Sequence, residues 1–108
     1  MKFSMIYMTA KDKEEAKAIG RSLVEERLAA CANIIENMSS FYWWEGKVQE
    51  DNEAVLILKT REALLPELIN KVKTLHSYEC PCIVCLPIRG GHEPFLDWIE
   101  KETQGGKA

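Results

Sequence analysis

The densest group of reactive side chains is Leu75-His76-Ser77-Tyr78-Glu79-Cys80-Pro81-Cys82, which gathers an imidazole, a phenol, a carboxylate and two thiols. Thiolates favour Cu(I) and Zn, and imidazole suits Cu, Zn and Ni, so the chemistry these types suggest is the capture of a soft or borderline metal. Cys80 and Cys82 can share one face, with Pro81 between them. The plainer reading is a helix cap, a proline-shaped turn and small buried thiols. The spacing Cys82-x-x-Cys85 looks like a metal or redox motif, but Ile83 and Val84 read as strand. In a strand the two sulfurs would point to opposite faces, with Cα atoms about 10 Å apart, too far for a chelate or a disulfide. Core cysteines are the expectation there. Cys31, among Ala29, Ala30 and Ala32, reads the same way.

A second group is aromatic and charged. Phe41-Tyr42-Trp43-Trp44 runs up to Glu45-Gly46-Lys47, and Lys59 follows the apolar run Ala54–Leu58. Aromatic walls with a few polar groups are what small-ligand sites use, so Glu45, Lys47 and Lys59 paired with Trp43 and Trp44 could line a cleft; solvated surface charges explain the three charged residues equally well. His92 follows Gly90-Gly91 and reads as solvated. There is no nucleophile elbow, P-loop or dinucleotide fingerprint, and the chain is not expected to be an enzyme.

The elements that must position these groups follow from periodicity. Phe3–Met8 reads as a strand. Asp12 with Glu15 marks a helix start, and Ala16, Ile19, Leu23 and Val24 give it one apolar face, to about Arg27. Gly20 inside that helix implies close packing on a sheet. Leu65, Leu68, Ile69, Val72 and Leu75 mark a second helix, with Pro66 in its first turn. Residues 82–88 read as a strand. Glu93-Pro94 opens a last helix that Gly105-Gly106 close. The order β-α-β-β-α-β-α predicts an α+β fold, a ferredoxin-like βαββαβ sandwich with a long central hairpin and an added C-terminal helix. Residues 1–104 are expected to form a single domain, and 105–108 a frayed tail.

The hairpin is long for so small a chain. Leu28–Trp44 and Lys47–Thr60 flank the Glu45-Gly46 turn, where Gly supplies the positive φ. Arms of roughly 15 residues would reach about 50 Å, against a radius of gyration near 13 Å for a compact domain of about 100 residues. The ribbon must therefore bend, bulge or project. A projecting bare edge is best closed by another copy of the same chain. The alternative is a hairpin interrupted at Asn37-Met38-Ser39-Ser40, with short arms.

Composition narrows the partners. The chain has 108 residues, a formal net charge of −3 and no basic run, so nucleic acid is not expected. No stretch approaches the ~20 apolar residues of a membrane span, and no signal segment is read, which makes the cytoplasm the expected compartment and reduced cysteines the expected state.

Taken together, Arg27-Leu28-Ala29-Ala30-Cys31, Tyr42-Trp43-Trp44-Glu45-Gly46-Lys47, Leu58-Lys59-Thr60, His76-Ser77-Tyr78-Glu79 with Pro81, Leu86-Pro87-Ile88 and Phe95-Leu96-Asp97-Trp98-Ile99 resemble the divalent-cation tolerance proteins of the CutA family. The resemblance spans nearly the whole chain in order. It implies a tight homotrimer whose hairpins pair across subunits, much as in the PII signalling proteins, and a role in tolerance to copper and other divalent cations. It also implies that no metal is required for folding. The family's proposed ligands fall here on Met8, Leu75 and His76; Met8 offers a thioether acceptable to Cu(I), and Leu75 offers nothing. With the neighbouring thiols, the metal candidates are His76, Cys80, Cys82 and Met8. An intersubunit cleft is implied at Trp44, Lys59, His76, Tyr78 and Glu79.

Three readings compete: a trimeric copper-binding protein, a PII-like scaffold that binds a small anionic ligand beside Lys59, and a structural trimer without ligand. Small copper chaperones carry M-x-C-x-x-C after the first strand, where this chain has Met8-Thr9-Ala10-Lys11, and RNA-recognition modules need aromatics on central strands in a basic setting.

Overall fold

Alternation along Ser4-Met5-Ile6-Tyr7-Met8 sends Ile6 and Met8 to one face and Met5 and Tyr7 to the other, and the observed packing follows it. In the computed structural model, which describes residues 1–104, Ile6 and Met8 are fully buried while Met5 and Tyr7 are half-buried. The elements are β1 (Phe3–Ala10), α1 (Lys13–Glu25), β2 (Cys31–Trp44), β3 (Lys47–Arg61), a single 3₁₀ turn (Glu62–Leu64), α2 (Leu65–Leu75), β4 (Ile83–Ile88) and α3 (Glu93–Glu102). The sheet order is β2-β3-β1-β4, with every neighbouring pair antiparallel. This is the ferredoxin-like α+β arrangement with an added C-terminal helix. The tail expected at 105–108 lies outside the described residues.

One face of the sheet carries the core. Ile6, Met8 and Ala10 of β1 meet Ala54, Leu56 and Leu58 of β3, and α1 and α2 cover them with Ile19, Leu23, Leu68 and Val72. Gly20 lets α1 approach: a Cβ there would sit 3.0 Å from Ala32 Cβ and 3.1 Å from Leu56 Cδ1. The opposite face carries Tyr7, Ile57, Val84 and Leu86, of which Val84 and Leu86 are 49% and 43% exposed. Arg61 donates to Thr103, and Arg27 pairs with Glu102 at 2.8 Å; together they pin the end of α3.

Several boundaries differ from expectation. β1 continues two residues past Met8, because Thr9 and Ala10 still pair with Val55 and Ala54. α1 stops at Glu25, short of Arg27, because Arg27 takes a left-handed φ of 60°. Its N–H donates to Val24 O and that of Leu28 to Leu23 O, a Schellman closure with Arg where Gly is usual. α3 ends at Glu102 before the glycines are reached. The strand expected at 82–88 begins at Ile83, leaving Cys82 outside the ladder.

The hairpin is not interrupted. β2 runs unbroken, and the register slips by one residue between the pairs Ile35↔Val55 and Met38↔Glu53. Asn37, at φ 65°, is the residue that absorbs the bulge. Glu45 and Gly46 both have positive φ, 51° and 79°, as a type I′ turn requires.

Candidate functional site: an aromatic cleft beside the hairpin

Beyond the bulge, Met38, Ser40 and Tyr42 pair with Glu53, Asp51 and Gln49. Tyr42 donates its phenolic hydrogen to Asp51, and Tyr78 donates to Glu53 Oε2 at 2.6 Å. Asp51 and Glu53 are two residues apart on β3, so they share a face and receive two phenols from different parts of the chain. The Asp51 carboxylate raises the Tyr42 phenol above its usual range; burial, then Glu53, raises Tyr78 further still. Both phenols therefore remain donors at neutral pH.

The loop after α2 is fastened by His76. Its side chain is buried, Nε2 lies 2.8 Å from Thr9 O, and Nδ1 accepts the Tyr78 N–H at 3.1 Å. The Nε2–H tautomer satisfies both partners. The His76 and Tyr78 rings are 4.7 Å apart at a tilt of 51°. Glu15 braces the same loop by accepting the Ser77 N–H at 2.7 Å and the Lys11 N–H at 2.9 Å. Burial alone would raise its carboxyl, but those donors outweigh it and hold Glu15 below the usual range.

Between the hairpin and this loop lies an open cleft of about 710 Å³. Tyr7 and Thr9 of β1, residues 38–42 and Trp44 of β2, Glu53 of β3, and Tyr78, Glu79, Cys80 and Cys82 of the loop after α2 line it. Tyr7 donates to Met38 Sδ at 3.5 Å. Among the described residues no Lys, Arg or His lines it.

The residues singled out from sequence are divided by this geometry. Trp44, Tyr78, Glu79, Cys80 and Cys82 come together in the cleft. Lys59 does not join them: its Nζ donates to Asn33 Oδ1 at 2.9 Å and lies 3.9 Å from Cys31 Sγ. His76 supports the loop from behind, with both ring nitrogens engaged. Met8 is sealed in the core beside Leu56 and Ile83. The expectation of core cysteines fails: Cys80, Cys82 and Cys85 are exposed and Cys31 is half-buried. Cys85 stands on β4 opposite Ile6, where partial burial still raises its thiol. Glu45, Lys47 and Trp43 stand outside the lining, Trp43 with 74% of its surface exposed. His92 precedes α3 in an exposed loop. No three His, Cys, Asp or Glu side chains converge on one point among the described residues.

Sequence reading missed Tyr7, Met38, Tyr42 and Glu53 as lining residues. Their signal lies in strand register. Tyr7 faces Ile57 and Met38 faces Glu53, pairings that periodicity within one segment does not reveal.

Comparison with known proteins agrees with this architecture. The model of the CutA1 divalent ion tolerance protein family matches residues 4–102. The chain belongs to that family. A rice relative, the chloroplastic protein CutA 1, is 46% identical over 100 residues, covering 93% of this chain and 56% of its own length. The solved structure of the periplasmic divalent cation tolerance protein CutA from Archaeoglobus fulgidus superposes with a TM-score of 0.92 at 44% identity, covering 94% of this chain and 99% of that one. The CutA1 family is linked to divalent-cation tolerance and is non-catalytic. The chain spans little more than half the length of the rice relative and of the chloroplastic Arabidopsis one, 56% and 55%.

The cytoplasmic expectation does not survive this comparison. CutA relatives include proteins named chloroplastic and one named periplasmic. The expectation rested on the first residues of this chain, whereas the matched region is only part of the plant proteins, so the shared fold carries no single address.

Proposed function

We propose that this chain is a self-assembling cation-tolerance protein that captures copper as Cu(I) on Cys80 and Cys82. The observation that carries the reading is that both thiols are exposed, unbridged and line one cleft, which Met38 also lines. Two thiolates and a thioether form a soft donor set that suits Cu(I). A tetrahedral divalent site would need more donors than converge here. Of the family's ligand positions, His76 and Met8 act as structural supports, each already occupied by protein contacts.

Assembly is proposed as a homotrimer. Its support is the uncovered apolar face with Val84 and Leu86, and the bare aromatics Phe41 and Trp43 on the projecting hairpin, together with the CutA family resemblance. The anionic-ligand alternative is less favoured by the single chain, in which Lys59 donates to Asn33 and the cleft is lined by Glu53 and Glu79.

Native mass spectrometry of the reduced protein, with Cu(I) supplied from a buffered donor, tests both parts. The expected species is a trimer with a whole number of copper ions per subunit, reduced to the metal-free trimer by Cys80→Ser with Cys82→Ser. Copper uptake unchanged in that double variant would sink the thiol site. A monomer at micromolar concentration would sink the assembly.

A further inference from the structure

We draw no further inference here: the strongest candidate, the cluster where β2 meets β3 in which the Lys59 ammonium lies 3.9 Å from the Cys31 thiol, stands on the sheet face that the proposed trimer covers and belongs to the intersubunit cleft already described.

Discussion

Tyr78 donates its phenolic hydrogen to Glu53 Oε2 at 2.6 Å, and this one bond ties the loop after α2 to the middle of β3. The loop carries Glu79, Cys80 and Cys82, so this part of the cleft lining depends on it.

Tyr78→Phe should therefore cost about 1–2 kcal/mol in urea denaturation, the range of a partly exposed hydrogen bond to a charged acceptor. Its pH dependence has a definite sign. The folded phenol titrates above the unfolded value of 10.0, so the unfolded chain ionises first as pH rises. The stabilisation is fully present below pH 10 and is lost as pH climbs through the raised folded value. The gap between wild type and Tyr78→Phe should narrow above pH 10; a gap that widens would contradict the assignment.

His76→Ala should cost about 2–4 kcal/mol, because it opens a buried space and leaves Thr9 O and the Tyr78 N–H without a partner. Copper stoichiometry by native mass spectrometry should stay as in wild type. Loss of copper from a variant that is still folded would restore His76 as a ligand.

Glu15→Gln probes the acid side. The folded Glu15 carboxyl lies below its ordinary value of 4.5, so its contribution is present above that pH and disappears as pH falls through the folded value. Thermal melts of wild type and variant should differ at pH 7 and converge toward pH 3. Melts that remain separated at pH 3 would point to a packing effect instead.

Gly20→Ala would gain about 1 kcal/mol of helix propensity on an open surface. Here the new methyl would meet Ala32 Cβ at 3.0 Å, and overpacking costs about 1–3 kcal/mol. Net destabilisation is expected, relieved by adding Ala32→Gly. A stabilised single variant would show that α1 can lift from the sheet at little cost.

Much of the fold was legible because its signals are local. Asp12 accepts the Glu15 N–H at 2.8 Å, as a cap two residues after β1 should, and Pro66 sits in the first turn of α2. The cleft was half legible: Trp44, Tyr78, Glu79 and the two thiols stand out by type. Lys59 stands apart from the lining within one chain, because its direction depends on which face of β3 it occupies and on Asn33 across the ladder. Tyr42 and Trp44 could not be assigned a face by counting twos from Ile34, since the extra residue at Asn37 exchanges the faces beyond it.

That extra residue separates two properties of the arm. If Asn37 were removed, Ile35↔Val55 and Met38↔Glu53 could both persist, with Glu36 alone between them, and every pair up to Trp44↔Lys47 would keep its partner. The ladder would be the same and its path straighter. A single codon thus acts as a curvature setting for the ribbon, free to vary in length without rewriting any of the side chains that meet across it.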